Sequence, residues 1–202
     1  MIKIYGPVRS SAGRCYTMLE ECGLKYEVMP VDFKTKEHKS ENYMRLNPNG
    51  KVPVLSDGEF TIWESAAINM YLAEKYKPEL MGKTPEEKGK VYQWSIWSMV
   101  DFQPPMIDVL IQMMFVPEDK RDMNIVEKAK AKLPGLLKVV DQSLEGRKFL
   151  AADFYTAADL NVASVANLAY PLQIDLSGYK NLTAWLEEIK SRPAWKKVAE
   201  MH

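Results

Sequence analysis

Histidine and cysteine are scarce in this 202-residue chain, with two of each. With only His38 and His202 available, a histidine-based metal site is not expected. Cys15 and Cys22 stand seven positions apart on what reads as one helix. At about 1.5 Å of rise per residue their Cα atoms lie ~10 Å apart, beyond the reach of a disulfide. They are expected to be half-buried structural thiols. No Cys-x-x-Cys stands at the start of the first helix, which argues against disulfide redox chemistry. Charge of either sign is not in excess. Lys plus Arg and Asp plus Glu number 27 each, so neither nucleic acid nor an anionic membrane is expected as a partner. No apolar run approaches the ~18 residues of a membrane span, and the N-terminus reads as a strand rather than a signal peptide. Cytoplasm is the expected location. Internal repeats are absent.

What is present, 47% apolar and 27% charged residues, is ordinary for a globular protein. The length suits one large domain or two small ones. Met1–Tyr5 reads as a short apolar strand. Gly6–Ser11 reads as a loop in which Ser10 or Ser11 is a natural N-cap. A helix follows, with Cys15, Met18, Leu19 and Cys22 at helical spacing, and ends at Gly23. Lys25–Val31 is a second strand, which makes a βαβ unit with parallel strands. Residues 32–46 are charged and irregular, with a short helix over Glu41–Arg45. Asn47-Pro48-Asn49-Gly50 is turn chemistry, and Val52-Pro53-Val54-Leu55 is a short strand whose proline belongs at a strand start or an edge. That X-Pro bond is also where a cis peptide would occur. The Val52 backbone N–H and C=O are then left to pair with something extended, such as a peptide. Asp57-Gly58 makes a hairpin turn, and Phe60–Trp63 is the returning strand. Glu64-Ser65 opens a helix with Ala67, Ile68, Tyr71 and Leu72 on one face. Free N–H groups beside Ser65 are a place to hold a carboxylate. This order over residues 1–77 is the thioredoxin-like βαβ-ββα arrangement.

Breakers between Tyr76 and Pro85 form a linker, and residues 86–202 read as an all-helical domain. The fold class is therefore α/β plus all-α, a thioredoxin-like domain followed by a helical bundle. Thr84-Pro85-Glu86-Glu87 starts a long helix carrying Tyr92, Trp94, Ile96, Trp97, Val100 and Asp101. Pro104-Pro105 should kink or break it, with a second segment over Ile107–Phe115. Met123–Leu144 is another helix, bent at Pro134-Gly135, with Val126, Leu133, Leu137, Val140 and Leu144 inward. Thr156-Ala157-Ala158-Asp159 has capping-box spacing and opens a central buried helix to about Tyr170. Asn181–Ser191 and Ala194–Glu200, split by Arg192-Pro193, close the domain.

Taken together, Asn47-Pro48-x-Gly50-x-Val52-Pro53-x-Leu55, the Glu64-Ser65 pair and the run Tyr71-Leu72-Ala73-Glu74-Lys75-Tyr76 resemble the cytosolic glutathione transferases. Lys3-Ile4-Tyr5-Gly6 ahead of them, and Phe149-Leu150-Ala151 with Thr156–Leu160 in the second half, extend the resemblance over the whole chain. The Glu-Ser pair is similar to the serine-type members, of the bacterial, phi and theta kind. The resemblance implies glutathione as co-substrate without a metal, a small hydrophobic electrophile as its partner, and a homodimer. A non-catalytic interaction module, or glutathione-dependent peroxidase or isomerase chemistry on the same fold, is the alternative.

A free thiol titrates near 8.5, so use at neutral pH requires a drop of about two units, roughly 2.7 kcal/mol. One hydroxyl hydrogen bond to the thiolate contributes ~1.5–3 kcal/mol and a helix N-terminus ~0.3–2 kcal/mol. The resemblance places the hydroxyl in the loop of Ser10 and Ser11. Counted without gaps from Glu20–Leu24, the usual serine position falls on Arg9 and the cysteine-type position on Ser11. A one-residue shift brings in Ser10. Tyr5, placed like the phenol of tyrosine-type enzymes, is the rival, and Arg9 or Arg14 would add positive potential. The resemblance further implies Ser65 and Glu64 for the γ-glutamyl end and the Val52-Pro53 backbone for the cysteinyl unit. Lys51, His38 and Lys39 answer to the glycine carboxylate. The electrophile would lie between the domains, lined by Val8 and by Trp97, Val100, Asp101 and Gln103–Met106. Met113, Met114 and Phe115 stand downstream.

Overall fold

In the computed structural model residues 1–201 are described, and His202 lies outside them. By its contacts the chain forms two units, Met1–Met81 with residues 192–201, and Gly82–Ser191. The pattern alone placed 192–202 with the helical half, whereas the contacts of 192–201 group with the first unit.

The first unit is a four-stranded sheet ordered β2-β1-β3-β4. β1 (Ile2–Tyr5) pairs parallel with β2 (Tyr26–Met29) and antiparallel with β3 (Val54–Asp57), which pairs antiparallel with β4 (Phe60–Trp63). Ile2 and Ile4 alternate into the core, as a half-buried strand requires. Helix α1 (Gly13–Glu21) buries Cys15, Met18 and Leu19 completely. It stops at Gly23, whose φ of +65° lets Leu24 N–H reach Leu19 O at 3.0 Å. Helix α2 (Glu41–Leu46) is capped by the Ser40 hydroxyl, which accepts from Tyr43 N–H.

Helix α3 (Ser65–Tyr76) turns Ser65, Ala66, Ile68, Asn69, Leu72 and Ala73 inward. Ala67 and Tyr71, expected on that face, are half-buried instead. Tyr71 is drawn outward by a polar contact, for together with Lys75 and Tyr76 it donates to a single oxygen, Asp57 Oδ2, at 2.7, 2.6 and 2.6 Å. Partial burial opposes charge on Asp57. The hydrogen bonds from Lys75, Tyr76 and Tyr71 and the Lys75 charge outweigh it and hold this carboxyl at about 2.

The last helix, α9 (Pro193–Ala199), packs on α1. Arg192 donates to both oxygens of Glu21 at 2.6 and 2.8 Å, and Lys197 meets Glu20 at 2.7 Å. Two carboxylates in the last turn of α1 oppose its dipole, and these cations offset them. Lys77 Nζ, 2.8 Å from Glu21 O, adds a third.

The second unit is helical. Its first helix, α4 (Pro85–Trp97), opens with a capping box between Thr84 and Glu87. The break expected at Pro104-Pro105 is displaced upstream. A widened π turn over Ser98–Phe102 leads into α5 (Gln103–Leu110), so both prolines sit in a first turn. A missing N–H costs little at such a position. A second π turn, Ile111–Phe115, follows, and Arg121 covers its Met113 and Val116 carbonyls. Helix α6 (Met123–Ser143) runs through Pro134 and buries Val126, Ala129, Leu133, Leu137 and Val140. Helix α7 (Ala157–Ala166) lies at the centre, and α8 (Lys180–Ser191) packs on it and on α6.

Asp159 organises this unit. Its carboxyl, buried completely, accepts from Leu150 N–H, Thr156 N–H, the Thr156 hydroxyl and Trp185 Nε1–H at 2.9–3.1 Å. Burial pushes its pKa up, against these four bonds. Asp159→Ala strands several buried donors and should cost about 3 kcal/mol or more in urea unfolding. A loss below about 1 kcal/mol contradicts that role. The Asp57 cluster has an acid signature. A depressed folded pKa contributes stability in full above the unfolded value of about 4. That contribution fades as pH falls toward about 2. Asp57→Asn should therefore flatten the pH dependence of stability in this window.

Candidate functional site

The strand registers align Met29, Tyr5, Val54 and Trp63 in one row at an edge of the sheet. Beyond this row lie the loop of Ser10 and Ser11 after β1 and the segment of His38 and Lys39 after β2. Lys51, Val52 and Pro53 precede β3, and Glu64-Ser65 follows β4. The candidates thus come from separate parts of the chain whose segments leave the sheet at the same end. Two parallel strands, β1 and β2, end there, a usual place for a ligand in such sheets.

Glycines draw these segments into contact. Gly6, at φ +118°, lies so close to Val52 that a Cβ would stand 2.8 Å from the valine Cβ. A Cβ on Gly50, at φ +55°, would meet His38 O at 2.8 Å and Lys39 Nζ at 2.9 Å. Lys39 Nζ also donates to Asn49 O at 3.2 Å. His38 is half-buried, edge-on to Phe33 at 5.0 Å, and its Nδ1 has no hydrogen-bond partner among the described residues.

Asn47 builds the loop before β3, a role that its turn dipeptide only hinted at. Buried itself, it donates to Lys51 O at 2.8 Å and accepts from Asn49 N–H at 3.0 Å. Tyr43 hydroxyl donates to the same Lys51 carbonyl at 3.0 Å. Lys51 is exposed, Pro53 is buried, and the Val52–Pro53 peptide is cis. The Val52 N–H and C=O lie outside the strand ladder and carry none of this loop's hydrogen bonds.

Helix α3 starts without a side-chain cap. Glu64 holds its N-cap position at φ +73°, ψ +112°, an uncommon conformation for a residue with a side chain. The first N–H groups of a helix have no acceptor within it, and here they adjoin a buried serine and an exposed glutamate. Cys15 Sγ donates to Ser65 O at 3.5 Å, tying α1 to this start. The arrangement suits an anion and, beside it, a cation.

The three hydroxyl candidates differ. Neither serine caps α1, whose N-cap is Ala12 without a side-chain bond. Gly13 approaches Val8 O so closely that a Cβ would stand 2.5 Å away, and turn bonds from Ser10 N–H and Gly13 N–H wind the loop tightly into the helix. Ser10 Oγ donates to Pro7 O at 2.7 Å and accepts from Ala12 N–H at 3.1 Å. Ser11 is half-buried, and its hydroxyl has no partner among the described residues. Tyr5 packs in a cluster with Tyr43, Val54 and Val52, its ring edge-on to Tyr43 at 6.4 Å.

Other expectations shift. Arg14, offered as a source of positive potential, is buried, and burial lowers its guanidinium to about 10, while Arg9 is exposed. Cys15 is fully buried rather than half-buried, and burial pushes its thiol up to about 12. Burial also raises Cys22, to about 11, so both thiols are protonated and unreactive at neutral pH. Met106 is core, fully buried, and cannot line a pocket, whereas Val100, Asp101, Met114 and Phe115 are exposed. Trp97 stacks on Phe102 at 5.3 Å. No three metal-binding side chains converge among the described residues.

A thioredoxin-like sheet with an uncapped helix and a free backbone segment at one edge, followed by a helical unit, defines the class of protein. Residues 1–74 match the family pattern described as the N-terminal domain of glutathione S-transferase, and residues 102–193 match its C-terminal domain. Glutathione S-transferase F9 of Arabidopsis thaliana is 36% identical over 98% of this chain and 96% of its own length. Glutathione S-transferase I from maize, solved in complex with an atrazine glutathione conjugate, is 37% identical with a TM-score of 0.89, over 98% of this chain and 96% of the other. A theta-class enzyme of Xanthomonas axonopodis pv. citri, solved with glutathione bound, superimposes at TM-score 0.92 with 29% identity, over all of this chain and 98% of the other. This chain belongs to the glutathione S-transferase family.

Gly6→Ala forces both a strained φ and a clash with Val52, for about 1–3 kcal/mol of lost stability. Because the clash falls on the site, retention on immobilised glutathione should fall with it, and undiminished retention would break the link between Gly6 and Val52.

Proposed function

We infer that this chain is a transferase that adds the glutathione thiolate to small hydrophobic electrophiles. The observation that carries the reading is that the uncapped α3 start and the unpaired Val52 backbone adjoin paired strands, β4 and β3, at the same end of the sheet. A tripeptide with a carboxylate and an ammonium at one end and a carboxylate at the other has complementary groups there. We assign the γ-glutamyl carboxylate to Ser65 and the first-turn N–H groups of α3, and its ammonium to Glu64. The cysteinyl unit pairs with the Val52 backbone beside Pro53, and the glycine carboxylate meets His38, Lys39 and Lys51.

The proposed thiol-activating residue is Ser11. The Ser10 proton is committed to Pro7 O, which leaves Ser11 as the hydroxyl of that loop free to donate. Tyr5 is held in an apolar cluster. A hydrogen bond from Ser11 to sulfur is stronger for the thiolate than for the thiol, so it lowers the thiol pKa. Retaining the thiolate in the ground state needs no general base. Detoxification in the cytoplasm and a homodimeric assembly complete the proposal, in keeping with the family.

With a chloronitrobenzene as electrophile, Ser11→Ala should lower turnover about 10- to 150-fold, equivalent to ~1.5–3 kcal/mol. It should also raise the pH at which the rate climbs. Ser10→Ala and Tyr5→Phe should remain within about threefold, since each loses at most a loop or packing contact. A collapse of rate in either of those, with Ser11→Ala unaffected, would reassign the residue. Calorimetry supplies the binding arm: Glu64→Ala and Ser65→Ala should each weaken glutathione uptake about tenfold or more, the cost of one charged hydrogen bond.

A further inference from the structure

The Asp57 cluster lies at the opposite end of β3 from Val52 and takes no part in the chemistry assigned above. Asp57 closes β3, and the same strand opens directly after Val52-Pro53. Tyr71, Lys75 and Tyr76 occupy the last two turns of α3, whose first residue is Ser65. All three converge on Asp57 Oδ2, and Lys75 Nζ also lies 3.0 Å from the Tyr71 hydroxyl and over both tyrosine rings at 5.5 and 5.1 Å. The Asp57 side chain is 12% exposed, so water competes little for that oxygen.

Helix α3 links the two places. Its N-cap residue, Glu64, lies outside the helical region at φ +73°, and its far end lies about 16 Å away at 1.5 Å per residue. Buried Ile68, Leu72 and Ala73 fix how deep the helix sits. Apolar burial has no direction, however, and permits rotation and sliding that hydrogen bonds with preferred angles do not.

We propose that Asp57 is a positioning residue for glutathione: by anchoring the far end of α3 to β3, it sets the spacing between the Ser65 helix start and the Val52 backbone. The proposal rests on the reading that these two elements hold the two ends of one tripeptide. A ligand held at two points responds to their separation, whereas an electrophile held elsewhere does not.

The test measures glutathione Kd by calorimetry, both KM values, kcat and Tm for Asp57→Ala and for the double variant Tyr71→Phe with Tyr76→Phe. Leu137→Ala, a buried truncation in α6, serves as the control for stability loss alone. Asp57→Ala should raise glutathione Kd and KM about tenfold, comparable to weakening one charged hydrogen bond. Its kcat at saturating glutathione and its electrophile KM should stay within about twofold. The tyrosine pair, which keeps the Lys75–Asp57 contact, should shift Kd in the same direction by less, and it carries the test if Asp57→Ala does not fold. Leu137→Ala should lower Tm and leave Kd unchanged. Glutathione Kd within twofold of wild type in the folded Asp57 or tyrosine variants overturns the proposal, as does an equal loss in Leu137→Ala. Wild-type protein that takes up no glutathione overturns the parent reading instead.

Discussion

Backbone pairing at one edge of a small sheet governs this structure. The row Met29–Tyr5–Val54–Trp63 is fixed by hydrogen-bonded register, and a slip of one residue would turn every side chain on the slipped strand to the other face. Because the row is fixed, the segments that leave it arrive at fixed places. Glycines at 6 and 50 then allow separate segments to touch where a side chain would hold them apart. The site owes its shape to main chain and turn chemistry more than to reactive side chains. Cys15, beneath the start of α3, is buried and protonated, and buried Asn47 serves the loop before β3.

Much of this could be read from residue order. Turn dipeptides gave the Asp57-Gly58 hairpin, the capping box at Thr156–Asp159 marked the start of α7, and Gly23 marked the end of α1. These features are local, and a few residues suffice to specify them. The features that stayed hidden depend on distant neighbours. Nothing within the run Pro7–Gly13 announces that Gly13 lies against Val8 O, so the serines read as caps when the loop's own turns do that work. Arg14 read as a source of positive potential and Cys15 as a half-buried thiol, and the complete burial of Cys15 comes in part from α3, whose Ser65 carbonyl lies 50 residues later in the chain.

The proline pair shows the same division. Pro104-Pro105 announces that a helical ladder loses two donors, but not where the helix adapts. The chain places the wide turn of Ser98–Phe102 ahead of them, so the prolines begin a new segment instead of interrupting an old one. The candidate site could be proposed as a set of residues because the family resemblance names them together, and the strand registers bring their segments to one end of the sheet. The choice among Ser10, Ser11 and Tyr5 was not, since it turns on where one hydroxyl proton points.

The bidentate contact between Glu21 and Arg192 joins positions 171 residues apart. Ordering so long an intervening stretch is entropically expensive before the contact rewards it. The first unit therefore lacks α9 until the whole of Gly82–Ser191 has been made. The intervening Gly82–Ser191 segment sits in the chain as an insertion. Synthesis thus returns to the unit made first only after the second has been made, and a chain cut short before residue 192 would leave Glu20 and Glu21 of α1 without Lys197 and Arg192.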